Sequence, residues 1–184
     1  MSETVLLLFS VFLLIAGFVF IIFFTLRDVI TRRAPFISTR SNILADIVSL
    51  LQLQDGSVVY DLGCGDGRVL REAVQRNPGK NIRGVGIESS VWPYILARWK
   101  SRGLSIIIRP ENLYTANFQD ATHLYLYLFP HVLKDIEPLI LAQCKAGTRI
   151  VSCDFQFPSL KPERVVEIPH GKYQLGRKLF VYEI

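Results

Sequence analysis

The stretch VVYDLGCGDGR, Val58 to Arg68, carries an apolar run into Asp61 and then places glycines at positions 63, 65 and 67. Glycines this closely spaced let a ligand come right up to the main chain, and a strand turning through them into a helix offers backbone N–H groups at a helix N-terminus. A second apolar run, NIRGVGIESS, ends in Glu88. If the two runs are neighbouring strands, that carboxylate stands beside the loop and can accept hydrogen bonds from both hydroxyls of a ribose. A dinucleotide fingerprint would need glycine at the sixth position of G-x-G-x-x-G. Here that position is Arg68, too bulky for close helix packing, so NAD is the weaker expectation.

The surrounding pattern supplies elements that can position these groups. Short apolar runs alternate with helical patterns: Ser57–Leu62 then Arg68–Arg76, Ile82–Ile87 then Val91–Arg102, and Leu104–Ile108. Thr122–Phe129, a helix over His131–Cys144, and Thr148–Phe155 continue the series. Such alternation predicts a parallel sheet built from βαβ units. The last two runs, Glu163–Ile168 and Lys178–Ile184, leave no room for a helix between them and must pair antiparallel through PHGKYQLGR. The expectation is α/β, with seven strands of which one is reversed. Ahead of them, Ser41 can cap a helix that sets Ile43, Leu44, Ile47, Val48 and Leu51 on one face.

Val5 to Leu26 contains no charge and no proline and is long enough to cross ~30 Å of hydrocarbon. Arg27, Arg32, Arg33 and Arg40 follow it, so the positive-inside rule puts the remainder on the cytoplasmic side and Met1–Thr4 outside. The start of the chain is not Arg-rich like a transit peptide, which favours a bacterial inner membrane. The predicted organisation is an anchor over 1–27, a connector over 28–40 and a folded domain over 41–184; the connector reaches at most ~50 Å when extended. The net charge of +5 is scattered apart from the juxtamembrane arginines, which suits lipid headgroups better than nucleic acid. Three cysteines without paired spacing predict neither disulfides nor a metal site.

The acid-L-G-x-G-x-G run followed by an acid at the tip of the second strand resembles the class I, seven-strand methyltransferases that use S-adenosylmethionine. The resemblance implies a Rossmann-like sheet of order 3-2-1-4-5-7-6. It implies that Asp61, Gly63, Cys64, Gly65, Asp66 and Gly67 surround the methionine end of the cofactor, that Glu88 with Ser89 meets the ribose, and that Asn112 and Leu113 lie near the adenine. APFISTR, DLGCGDGR, ENLYTANF, LYLFP and GTRIVSCDFQFP, in this order, further resemble the membrane-anchored lysine methyltransferases of the ATP synthase c-subunit and the adenine nucleotide translocase.

YLFP ends the fourth strand where amine methyltransferases of this fold carry an N/D-P-P-Y-like motif, which makes Tyr127, Phe129 and Pro130 candidate catalytic residues. The tetrapeptide has no Asn or Asp, so a main-chain carbonyl near Leu128 or Phe129, or Asp154 at the tip of strand five, is expected to hold the amine instead. Strand alternation sets Tyr125, Tyr127 and Phe129 on one face, as an aromatic lining for a neutral lysine or as plain core. His131 is either a proton acceptor or an exposed helix start. Asp66 is expected to meet the cofactor's ammonium, Arg68 its carboxylate or a neighbouring acid, and Phe36–Arg40 to fold over the cofactor or line the entrance. The expected reaction is methyl transfer to a lysine of a membrane protein. The alternatives are methylation of a lipid-soluble small molecule and a non-catalytic adenosylmethionine-binding assembly factor.

Overall fold

The computed structural model describes residues 3–30, 38–168 and 176–184, with side chains described from residue 38 onward and over 3–23. The chain divides into two compact units, 1–35 and 36–184. Among the described residues the first holds one helix, α1 (Glu3–Ile30). Its stretch Glu3–Phe23 is long and apolar enough to cross a bilayer, a property that signal sequences share. Arg32, Arg33, Phe36 and the 169–175 part of the closing turn lie outside the described residues.

The second unit opens with a 3-10 turn over Ser41–Ile43 that leads into α2 (Leu44–Leu51). Ser41 sits inside that turn and no side chain caps the helix, unlike the cap expected of it. There follow β1 (Val58–Leu62), α3 (Arg68–Gln75), β2 (Arg83–Ile87), α4 (Val91–Lys100), β3 (Ile106–Arg109), β4 (His123–Leu126), α5 (Pro130–Gln143), β5 (Arg149–Cys153), β6 (Arg164–Glu167) and β7 (Lys178–Glu183). They form one seven-stranded sheet of order β3-β2-β1-β4-β5-β7-β6. The first five strands run parallel, and β7 runs antiparallel to both β5 and β6.

Alternation along each strand sends side chains to two covered faces. Val59, Tyr125, Val151 and Val181 join the core formed with α2 and α3 through Ile47, Leu51, Val69 and Leu70. Tyr60, Leu124, Ile150 and Tyr182, paired in register across the sheet, bury on the opposite face, as do Leu133, Ile136 and Ile140 of α5. No helix intervenes between β3 and β4; Phe118 from that connection is fully buried and its ring meets Tyr60 at 6.3 Å.

Strand β4 is shorter than the apolar run of LYLYLFP predicts. The ladder ends at Leu126, so Tyr127, Leu128 and Phe129 leave the sheet before Pro130 opens α5. Proline has no N–H to extend a ladder and its fixed φ suits the first turn of a helix, which explains the early exit.

At the other end of β4, His123 is buried between Val59 of β1 and Arg149 of β5, its Nδ1 2.7 Å from the Thr122 hydroxyl. Burial, with the Arg149 charge beside it, pushes the imidazole down from 6.5 to about 4. The folded state therefore binds fewer protons than the unfolded chain between those values, and stability falls as pH drops through that window. The depressed value corresponds to a loss of ~3 kcal/mol by pH ~4. Thermal unfolding of the detergent-solubilised chain at neutral pH and at pH ~4 should show this drop. His123→Gln should flatten it, and an unchanged pH slope in the variant would assign the acid sensitivity elsewhere.

Candidate active site

The glycine loop is held by the second strand. Gly63 and Cys64 both donate their N–H to the Ile87 carbonyl, at 2.9 and 3.0 Å, and Gly65 N–H donates to Glu88 Oε2 at 3.0 Å. Gly63 has φ of +84°, a conformation that strains any other residue, and a Cβ there would stand 3.1 Å from Leu128 Cδ2 and push that side chain back. Cys64 turns its side chain inward, where a Cβ on Gly86 of β2 would meet its Sγ at 2.6 Å. Burial raises the thiol pKa well above its usual value. Cys64 thus packs the loop onto the sheet with its side chain and faces the cleft with its backbone.

Glu88 is buried at the tip of β2. Its second oxygen accepts the Ser90 N–H at 2.7 Å, which fixes the carboxylate in orientation and leaves further lone pairs for a ligand. Burial raises its pKa, against the hydrogen bonds from Ser90 and Gly65. Ser89 sits beside it, half-buried. After β3, Asn112 is exposed and its side chain accepts the N–H of Tyr114 at 3.0 Å, while Leu113 is half-buried. These two therefore lie in a local turn that follows β3, and no hydrogen bond joins their side chains to the loop among the described residues.

A cleft opens against the loop, lined by Ser38, Thr39, Asp61, Gly63, Tyr125 and Tyr127, with Cys64–Asp66 and Arg68 completing it. Asp61 is 2% exposed and has no hydrogen-bond partner among the described residues. Burial first, then the nearby Glu88 and Asp66 carboxylates, push its pKa far up. The Ser38 hydroxyl in the same cleft is also buried without a partner.

Asp66 is engaged differently. It receives Arg68 Nε at 2.8 Å and Lys100 Nζ at 2.9 Å, with Arg71 at 3.7 Å. Burial alone would raise this carboxyl, but the hydrogen bonds from Arg68 and Lys100 outweigh it and hold the group at about 2. Arg68 also donates to the Thr39 carbonyl at 2.8 Å, and the Thr39 hydroxyl meets Tyr125 Oη at 2.9 Å. The segment ahead of α2 is thereby strapped across the loop. Tyr125 belongs at once to the core, being 1% exposed, and to the cleft lining.

Tyr127, which lines the cleft next to Tyr125, leads to a group of aromatic rings outside the lining. Tyr127 donates its hydroxyl to Asp154 Oδ2 at 2.7 Å. Burial, together with that hydrogen bond, pushes the phenol pKa far up, so Tyr127 stays protonated. Asp154 follows β5 in the left-handed region, φ +61°, and its carboxylate also accepts the N–H groups of Gly176 and Arg177. Phe155 is half-buried with its ring 6.5 Å from Tyr127 and 5.8 Å from Phe129, and Phe129 stacks on the exposed His131 at 6.1 Å. Pro130 is exposed at the start of α5. The structure thus gathers Tyr127, Phe129 and His131 into one aromatic group. Sequence reading missed Phe155 beside the site, for which the doublet of aromatics in DFQF was the available signal; Ser38 and Thr39, which line the cleft, belong to the Phe36–Arg40 segment expected there.

A buried carboxyl lacking a partner, beside a glycine loop and a ribose-type acceptor at the next strand tip, fits the cationic methionine end of S-adenosylmethionine. Similarity to known proteins agrees. A protein-lysine N-methyltransferase from Saccharolobus islandicus is 26% identical over 152 residues, which span 82% of this chain and 93% of that protein. The lysine N-methyltransferase of the ATP synthase c-subunit from Rattus norvegicus is 25% identical over 133 residues, 70% of this chain but 59% of the rat protein. Among solved structures, an RNA methyltransferase from Salinibacter ruber bound to S-adenosyl-L-homocysteine superposes with a TM-score of 0.72 at 29% identity, covering 80% of this chain and 94% of that one. TrmN from Thermus thermophilus, at 16% identity and a TM-score of 0.64, shares the fold. Residues 61–164 match the family described as the ANTKMT methyltransferase domain, and the chain belongs to that family.

Proposed function

We propose that this S-adenosylmethionine-dependent methyltransferase is anchored in a membrane and methylates a lysine side chain of a membrane or membrane-associated protein. The proposed organisation is an anchor over 1–27, a connector over 28–40 and a catalytic domain over 41–184. The proposed orientation has the N-terminus outside and the domain on the cytoplasmic face of a bacterial inner membrane. The observation that carries the catalytic part is a single cleft bounded by Asp61 and Gly63 on one wall and by Tyr127 on another. Relatives named as protein-lysine methyltransferases support lysine as the acceptor.

When bound, S-adenosylmethionine supplies an electrophilic methyl carbon on a sulfonium. In this reading Asp61 takes its ammonium group, Glu88 and Ser89 the ribose, and Asn112 with Leu113 the adenine side. The aromatic wall of Tyr127, Phe129 and Phe155, closed at its rim by Pro130 and His131, excludes water and favours the uncharged amine, which is the nucleophilic form. Tyr127, kept protonated and with its O–H turned to Asp154, has oxygen lone pairs left to accept an N–H of that amine. Asp154 is then a positioning residue, supplying the orientation that YLFP lacks an Asn or Asp to provide. Alignment is the main demand of an in-line methyl transfer, and orientation of this kind accounts for a large part of such rate accelerations.

Incubating the full-length chain in detergent with radiolabelled cofactor and membrane extracts tests the reading. Label in protease-sensitive material that yields methyl-lysine supports it. Label in the lipid extract or in nuclease-sensitive RNA replaces the acceptor, and tight cofactor binding without any transfer replaces the enzyme by a binding factor. Glu88→Ala should abolish cofactor binding in calorimetry, and retained affinity would remove Glu88 from the site. Tyr127→Phe should lower kcat about 10-fold, the worth of one hydrogen bond, while cofactor affinity stays at the wild-type value. An unchanged kcat would remove the phenol from the mechanism.

A further inference from the structure

Helix α4 wears its apolar residues on the outside. Val91, Trp92, Ile95, Leu96 and Trp99 are all exposed, the tryptophans at 66% and 60%, while Ala97 is the helix's one fully buried residue. Elsewhere among the described residues of the catalytic unit, the exposed large apolar side chains are Ile107, Tyr114, Leu141 and Val165, scattered over other elements. Positions 92, 95, 96 and 99 recur at helical spacing and form one stripe, and an exposed contiguous patch of this kind marks an interaction surface. The flanking charge has one sign. Residues 91–102 contain no Asp or Glu, and Arg98 and Arg102 are exposed with no carboxylate partner among the described residues. Arg98 hydrogen-bonds only the Tyr94 hydroxyl, at 3.2 Å.

We propose that the α4 stripe is a second membrane contact that docks on the anionic leaflet of the bilayer. Trp92 and Trp99 would sit at headgroup level with Ile95 and Leu96 reaching below, and Arg98 and Arg102 would meet lipid phosphates. The proposal rests on the reading of α1 as a membrane span. Lipid is favoured over a protein occupant by the chemistry of the face: tryptophan is the preferred residue of the membrane interface, and basic residues beside an apolar helix face suit an anionic surface. The sequence connector also keeps the domain within reach of the bilayer. Because α4 starts three residues after Glu88, docking brings the cofactor edge of the sheet to the headgroup region, where a lysine flanking a membrane helix of a substrate protein lies.

Trp92 and Trp99 are the only tryptophans in the chain, so its intrinsic fluorescence reports this face alone. The full-length chain is reconstituted into phosphatidylglycerol-containing vesicles with and without brominated acyl chains, and alkaline carbonate extraction of the same vesicles reads the insertion of α1 separately. The expected result is a blue-shifted emission that loses most of its intensity to the bromines and is shielded from acrylamide. Arg98→Glu combined with Arg102→Glu should weaken the bromine quenching and leave cofactor affinity unchanged. A chain that resists carbonate but keeps water-exposed, bromine-insensitive tryptophans overturns the docking proposal alone. A chain released by carbonate overturns the anchor and the docking proposal with it. A blue shift that grows with protein-to-lipid ratio and ignores bromine points to a second copy of the chain on this face and overturns the lipid assignment.

Discussion

The site depends on a junction of three amides with the end of one neighbouring strand. Gly63 and Cys64 share the Ile87 carbonyl, and Gly65 reaches the Glu88 carboxylate, so the loop proposed to pass close to the cofactor is fastened to the residue proposed to hold its ribose. The fastening works only because the surroundings give way to it. Gly86 supplies the space that Cys64 occupies, and Gly84 in the same strand accepts Ile106 at 3.0 Å from where its own Cβ would be. Small residues in β2 and glycines in the loop are therefore one device, in which strand and loop approach more closely than side chains allow.

Electrostatics around that junction separates two kinds of carboxylate. Asp66 is ringed by Arg68, Arg71 and Lys100 and stays ionised, which makes it a structural counter-charge that also positions the arginine strapping Thr39. Asp61 and Glu88 lack a cationic side chain, and burial raises both. A buried carboxyl without a counter-charge is costly, and a cationic ligand relieves that cost by restoring the ionised form. Loop and strap are thus built by the protein's own charges, while the inner carboxyl at Asp61 has no cationic side chain beside it and is the group proposed to meet the cofactor's ammonium.

Much of this was legible because it is periodic or local. Strand–helix alternation gives the parallel sheet, and the missing helix between Glu163 and Ile184 gives the reversed strand. The spacing of Asp61, the three glycines and Glu88 places them on one edge. What escaped the sequence depends on long-range contacts. Nothing in LYLYLFP says that the ladder stops at Leu126, since the limit comes from Pro130 opening α5 and from β1 ending at Leu62, opposite Leu126. The pairing of Thr39 with Tyr125 spans 86 residues, and Phe155 joins the site only because Asp154 adopts a left-handed conformation that redirects the chain.

Helix α4 shows the same limit from the other side. Its periodicity identifies an apolar stripe, and the usual inference is that such a stripe faces the core. A short helix against an edge needs little area to seat: Ala97 lies within 3.4 Å of where a Cβ on Gly67 would be, and the close approach is made by the small residue. With contact carried by Ala97 and part of Tyr94, the large side chains are free to face away from the sheet. Period fixes which residues share a face, whereas the size of the residues at the packed face decides which way the helix turns.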